Sequence, residues 1–256
     1  MFRENRLKRA LAAKRDCLGA WLFSGEPSVA EILALERFDA LIIDQEHSPS
    51  GIESTIAQMR AIAAASDSTV LVRIPDIQPH FIKLALDAGA EGILAPKVDS
   101  AAQARALVEA CRYPPFGMRG AHYTVSRAAR WGEASAEYFN RYRNELLIVA
   151  MIEGEAGLLA ADEIAAVDGI DMLFLGPLDL TADMGCIGNF DDPRLRAALH
   201  ALGPKVRSSG KWLGSTTWPG VGMSELKAAG CSFVTVGSDV GFLRSGVRAA
   251  VAAATA

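Results

Sequence analysis

Residues 38–49 read FDALIIDQEHSP, and the reading of this stretch decides the fold. Leu41, Ile42 and Ile43 run without polar alternation, as a strand buried on both faces requires and a strand with one wet face does not. The run then ends on Asp44, Gln45, Glu46 and His47, four polar or ionisable residues in succession. Such a cluster either rims a surface turn or forms one wall of an active site.

Working outward, the same kind of strand recurs along the whole chain. LGAWLF (18–23), ALIID (40–44), TVLVR (69–73), EGILAP (91–96), LLIVAMIE (146–153), DMLFLG (171–176), KWLGST (211–216) and SFVTVG (232–237) are the candidates. Helix-length segments lie between them, including GIESTIAQMRAIAAA, SAAQARALVEACR, DPRLRAALHALGPKVRSSG and the terminal GFLRSGVRAAVAAA. DAGAEGI and AAGCSFV each show a helix end, a glycine stop and a new strand. Alternating strands and helices with no Pro/Gly/Ser-rich linker predict one (β/α)8 TIM barrel over residues 1–256. A doubly wound open sheet is the alternative, because periodicity does not show closure.

The chain has 256 residues, half of them hydrophobic, with a net charge of −4. It can bury a large core, and it carries no polybasic field that would read as nucleic-acid binding. Cys17, Cys111, Cys186 and Cys231 are scattered and form no CxxC pair. This argues against a disulfide framework or a thiolate zinc site and for a reducing, cytoplasmic setting. The basic start MFRENRLKRALAAKR contains Glu4 and no apolar h-region, so it is expected to be the first helix. No apolar run has the length a membrane helix needs.

In a barrel, catalytic groups belong where strands end. His47 follows the second candidate strand, Arg73 closes the third, Glu153 closes the fifth, and Asp179 sits in GPLDL after the sixth. A carboxylate at the end of so apolar a run as LLIVAMIE is costly unless paired or bound to a cation. Glu153 and Asp179, one βα unit apart, suit a hard divalent ion; the bland alternative is a Glu153–arginine ion pair and an Asp179 helix cap. Arg73 offers a fork of donors for a carboxylate or an enolate oxygen, or a structural ion pair. His47 stands close to Asp44 and Glu46, which favour its basicity. YPPFGMRG (113–120) reads as an ordered loop over the site or a long connector, and TVGSD (235–239) as a place where backbone amides could hold phosphate. There is no Walker motif and no GxGxxG.

Taken together, DALIIDQEHSP, VRIP, ALDAGAEGILAPKV, RYPPFGMRGA, SRAARW, MIEGEAG and FLGPLDLTADMG resemble the HpcH/HpaI aldolases, metal-dependent class II pyruvate aldolases, over residues 18–245. The resemblance implies a TIM barrel assembled as a homohexamer, a trimer of dimers, with the C-terminal helix exchanged between subunits. It implies reversible cleavage of a 4-hydroxy-2-oxo acid to pyruvate or a similar 2-oxo acid plus an aldehyde, with Mg2+, Mn2+ or Co2+ as cofactor. Carried over by motif, Glu153 and Asp179 are the expected metal ligands, His47 the base and Arg73 the cation for the enolate. The backbone at Leu178 and Asp179 is expected to hold the substrate carboxylate, with Trp21, Asp44 and Met151 also against substrate. Asp87 matches the position that raises the basicity of the histidine, yet the end of the third βα helix should lie at the opposite mouth. Either the geometry is unusual, or the partner comes from another subunit, or Asp44 takes the role. Met151 stands where a glutamine is common, and His122 and Tyr123 are bulkier than expected, which leaves the substrate open. A citrate-lyase-type acyl-CoA lyase and a non-catalytic oxo-acid-binding barrel are the competing readings.

Overall fold

In the computed structural model, which describes residues 3–255, eight parallel strands close into a barrel in chain order. They are β1 (Cys17–Leu22), β2 (Ala40–Asp44), β3 (Thr69–Arg73), β4 (Gly92–Ala95), β5 (Leu147–Ile152), β6 (Met172–Leu175), β7 (Trp212–Thr216) and β8 (Cys231–Ser238). Closure comes from β8 pairing with β1, Cys17 opposite Phe233 and Leu18 opposite Val234. All eight sequence candidates are present, and the open sheet is excluded.

Helix α1 (Arg6–Ala12) precedes the barrel; the expectation for this helix also took in Met1 and Phe2, which lie outside the described residues. After β1 to β4 come α2 (Pro27–Leu35), α3 (Ile52–Ala65), α4 (Pro79–Ala88) and α5 (Ala101–Cys111). A 3-10 segment (Arg127–Gly132) and α6 (Ser135–Glu145) are inserted before β5. Two short helices, α7 (Glu155–Leu159) and α8 (Ala161–Ala165), follow β5. The order ends with α9 (Pro177–Asp183), α10 (Pro193–Ser208), α11 (Met223–Ala229) and α12 (Asp239–Thr255).

The unbroken apolar strands make sense once their two faces are separated. Alternate residues enter different cores, as the period of two dictates. Leu41, Ile43, Val70, Val72, Ile93 and Ile148 pack outward under the helices, while Ile42, Leu71, Leu94, Val149, Met172 and Phe174 fill the barrel interior. Leu7 and Leu11 of α1 join the interior group, so this helix plugs the mouth at the strands' N-terminal ends. The backbone N–H of Leu7 donates to Thr69 Oγ1 at 3.0 Å and fixes it there.

Interior space is apportioned by pairing large residues with glycine. A Cβ on Gly92 would lie 2.5 Å from Leu71 Cδ2 and 2.7 Å from the Leu147 carbonyl oxygen. The two αβ turns foreseen in the sequence have their stops where expected, Gly89 at φ 103° and Gly230 at φ 102° in the left-handed region that glycine enters without steric cost.

Helix α12 departs from the pattern. Residues 240–255 are all exposed, with Leu243, Val247 and Val251 at four-residue spacing. Phe242, stacked on Phe38 at 6.4 Å between ring centres, ties its first turn to the barrel. Among the described residues no helix is long and apolar enough to cross a membrane.

Candidate active site

The inward parity that buries Ile42, Leu71 and Met151 continues one residue pair further and brings Asp44, Arg73 and Glu153 to the C-terminal mouth. Asp44 and Arg73 are register partners across β2 and β3. The Asp44 carboxylate, fully buried, accepts from Arg73 Nε at 2.5 Å. It also accepts from the backbone N–H groups of Glu46 at 3.3 Å and His47 at 2.8 Å, which turns the chain sharply after the strand. Of the polar run after LIID, Asp44 and Glu46 therefore stand against Arg73, while Gln45 turns away to donate to Thr55 Oγ1 at 2.9 Å.

Arg73 is held on three sides. Besides Asp44, its Nη1 lies 3.1 Å from Glu46 Oε2, and its guanidinium carbon sits 4.7 Å from the centre of the Trp21 ring. Trp21 is buried, donates from Nε1 to Thr235 Oγ1 at 2.9 Å and stacks on Phe23. A guanidinium so restrained presents its remaining N–H groups in one direction at small entropic cost.

Glu153, 5% exposed, accepts the backbone N–H of Lys97 on Oε1 at 2.7 Å, while Oε2 is buried with no hydrogen-bond partner. Lys97 adopts φ 46° to aim that amide inward, so its contribution is main-chain. No arginine pairs with Glu153 among the described residues, which removes the ion-pair alternative. Gly176 opens room beside the carboxylate, because a Cβ there would lie 2.6 Å from Glu153 Oε2. The same Cβ would lie 3.1 Å from Met151 Cε, so a thioether arm, a poor hydrogen-bonding group, is the other neighbour at this point. Burial pushes the Glu153 carboxyl up to about 7; the Lys97 amide opposes this, and the charges of Asp179 and Glu46 add to it. Glu46 is raised for the same first reason, burial, with Arg73 and His47 opposing and Asp44 and Asp179 adding. The charges of Glu46 and Asp179 thus reach the Glu153 carboxylate, whose Oε2 has no donor.

Asp179 is exposed in the first turn of α9, whose start at Pro177 follows directly from β6. The amides of Leu178 and Asp179 belong to that turn, where intrahelical acceptors are lacking, and the first backbone bond is Leu180 to Gly176 at 3.2 Å. Leu178 is half-exposed. His47 is exposed at the rim, with Nε2 3.8 Å from Glu46 Oε1.

Asp87 is not among these groups. Helix α4 runs antiparallel to the strands, so its last turn lies at the opposite mouth, where Asp87 pairs with Arg119 at 2.5 Å. Asp44 does not contact the His47 ring either; it holds that residue's main chain. YPPFGMRG leads into the insertion at the same far mouth and is a connector: Tyr113 and Arg119 are buried there, with Tyr138 and Tyr142. TVGSD offers no free anion cradle, because the buried Asp239 carboxylate already accepts from the amides of Phe23 (3.0 Å), Ser24 (2.9 Å) and Val240 (2.8 Å) and from Ser24 Oγ (2.6 Å). Sequence reasoning missed Asp239 and Phe23, since nothing local marks a carboxylate that organises a loop more than two hundred residues away.

The comparisons agree with this fold. Residues 18–245 match the family model described as HpcH/HpaI aldolase/citrate lyase. A hydroxypyruvate/pyruvate aldolase of Agrobacterium fabrum is 40% identical, over 93% of this chain and 88% of its own. A 4-hydroxy-2-oxovalerate aldolase of Rhodococcus jostii is 39% identical, over 93% and 92%. The crystal structure of an HpcH/HpaI aldolase/citrate lyase family protein from Burkholderia cenocepacia superposes with a TM-score of 0.93 at 32% identity, covering 98% of this chain and 100% of the other. The chain belongs to the HpcH/HpaI aldolase/citrate lyase family. It is a carbon–carbon lyase of the aldolase kind.

Proposed function

We propose that the chain is a divalent-metal-dependent aldolase that cleaves a 4-hydroxy-2-oxo acid to pyruvate, or a close 2-oxo acid, and an aldehyde. The observation that carries this reading is the orphaned Glu153 Oε2, buried at the end of an apolar strand with Asp179 and Glu46 near enough to raise its pKa. A buried carboxylate oxygen without a donor is a costly arrangement that a cation relieves. Among the described residues no three His, Cys, Asp or Glu side chains converge on one point, so a cation held by Glu153 and Asp179 would complete its shell with substrate and water oxygens. When bound, the ion supplies Lewis acidity toward the 2-oxo acid.

The chain's own groups account for the rest. Breaking the C3–C4 bond leaves its electron pair on C3 as an enolate, and Arg73 sets a fixed positive charge toward that oxygen. The C4 hydroxyl proton goes to His47, and the hydroxyl carbon departs as the aldehyde. Amides of Leu178 and Asp179 receive the carboxylate. Trp21 and Asp44 hold Arg73, and Met151 gives the floor an apolar surface. The relatives named for pyruvate, hydroxypyruvate and 4-hydroxy-2-oxovalerate support a 2-oxo acid as the donor.

The assembly belongs to the same reading: a homohexamer in which the exposed stripe of α12 packs on a neighbouring copy. Asp87, remote from His47 of its own chain, then serves the site of a neighbour. The test of the chemistry is chelation. Pyruvate release from a 4-hydroxy-2-oxo acid stops with EDTA and returns with Mg2+, Mn2+ or Co2+; turnover untouched by complete chelation sinks the metal role.

A further inference from the structure

The loops that follow the strands form the rim of the reaction site, and their charge is one-sided. Glu26, Asp76 and Asp99 stand in these loops besides Glu46 and Glu153, with Asp183 on α9 beyond. Among the described residues, the same loops hold one lysine, Lys97 after β4, and no arginine; His47 is their other basic side chain. Lys97 is exposed, and its ammonium makes no hydrogen bond or ion pair among the described residues. Asp99, two residues on, does not supply one. Its Oδ1 is buried toward the start of α7, 3.0 Å from where a Cβ on Gly154 would lie.

The place of Lys97 in the ring follows from register. Strand β4 lies between β3 and β5, with Leu94 opposite Arg73 and Ala95 opposite Ala150. Lys97 therefore leaves the barrel between the strand that carries Arg73 and the strand that leads to Glu153. Its amide donates to Glu153 Oε1 at 2.7 Å, and the next amide, of Val98, donates to the Met151 carbonyl at 3.0 Å. These two bonds account for the left-handed φ of 46° and need only the backbone; a glycine would make them at no steric cost. The ammonium has no part in them. The charges that bear most on Glu153 are those of Asp179, Glu46 and Arg73, so Lys97 stands apart from the metal and enolate end of the site. Its flexible four-carbon stem nevertheless starts beside Glu153 and sweeps the rim just above it.

In the proposed reaction the donor carboxylate lies at the start of α9, and C4 lies between His47 and Arg73. The part of the substrate beyond C4 then extends toward the rim. A neutral tail gains nothing from a lone ammonium there, whereas a carboxylate finds its one cationic partner and is repelled by the acids elsewhere on the rim. We infer, on the aldolase reading above, that Lys97 binds a second carboxylate at the far end of the substrate, so that the 4-hydroxy-2-oxo acid is a dicarboxylate and the released aldehyde carries an acid group.

The test is calorimetry on the assembled protein with Mn2+ present, comparing 2-oxoadipate with 2-oxohexanoate. The two have the same chain length, differ only in the far carboxylate and lack the C4 hydroxyl, so neither is cleaved. 2-Oxoadipate should bind about fivefold or more tightly, and the preference should shrink in about 0.5 M NaCl. In Lys97→Met the two affinities should converge, while Lys97→Arg should keep the preference. Both variants should bind Mn2+ at least as tightly as the wild type, because each retains the amide on Glu153. In turnover with pyruvate, the kcat/KM ratio of succinic semialdehyde to butanal should fall by about fivefold or more in Lys97→Met. Equal affinities in the wild type, an unchanged preference in Lys97→Met, or binding of neither analogue overturns the inference. So does a Lys97→Met protein that loses both analogues and Mn2+ together, since the residue then acts only through Glu153. Turnover untouched by chelation sinks the metal role and leaves the affinity ratio standing, whereas equal affinities alongside chelator-sensitive turnover sink the dicarboxylate alone.

Discussion

Arg73 shows how one side chain joins stability to chemistry. Its partner Asp44 is fully buried, so Arg73→Ala leaves an uncompensated charge and should destabilise the protein by about 3–5 kcal/mol in urea unfolding, besides stopping turnover. Glu153 behaves in the opposite sense. Its folded-state pKa is raised from 4.5 to about 7, so its favourable contribution is present in acid and lost as pH rises between those values. The metal-free wild type should therefore lose melting temperature relative to Glu153→Gln from about pH 4.5 to pH 7. Added Mn2+ should stabilise the wild type and leave Glu153→Gln unmoved, and kcat/KM of the variant should fall by about a hundredfold or more. If Glu153→Gln gains no relative stability over that range, the carboxylate is not strained in the way described.

At the level of elements, the strands decide what the site contains. Interior parity delivers Trp21, Asp44, Arg73 and Glu153 to one mouth without any local signal beyond position in the strand. That parity depends on the barrel closing tightly, and Gly92 is where closure is most exacting. Gly92→Ala forces a methyl group against the Leu147 carbonyl and Leu71, and equilibrium unfolding should show a loss of about 1–3 kcal/mol. The loop after β1 depends on Asp239 from the far end of the chain. Asp239→Ala leaves the amides of Phe23 and Ser24 without their acceptor. A loss of about 1–3 kcal/mol is expected, with KM rising because Phe23 and Trp21 pack beside Arg73.

For the molecule as a whole, α12 and Asp87 make the same demand. An amphipathic helix of 17 residues lying exposed beyond its first turn is not stable on its own propensity alone. Deleting residues 243–255, which leaves Asp239 and Phe242 in place, should reduce the assembly, read by sedimentation velocity; an unchanged sedimentation coefficient would dismiss the exchanged helix. Asp87→Ala and His47→Ala proteins, each inactive, should regain part of the wild-type turnover when dissociated together and reassembled. Recovery requires that the two residues act from different chains. No recovery would mean that Asp87 does not act on the His47 of a neighbouring chain.

Much of this architecture was legible in the primary structure because strand burial and βα alternation are written in residue types at short range. All eight strands and the glycine stops at Gly89 and Gly230 are local signals of that kind. So was the shared mouth of Asp44, Arg73 and Glu153, since polar residues that close apolar strands have one mouth to occupy in a barrel. Three-dimensional contacts alone decided the rest. Only closure of β8 on β1 brings Asp239 to Ser24, only the antiparallel run of α4 carries Asp87 to Arg119, and only the packing of Met151 and Gly176 leaves Glu153 Oε2 without a donor. The physical reason is range: backbone preference and burial act over a few residues, whereas the satisfaction of a buried charge depends on groups that the chain brings together from far apart.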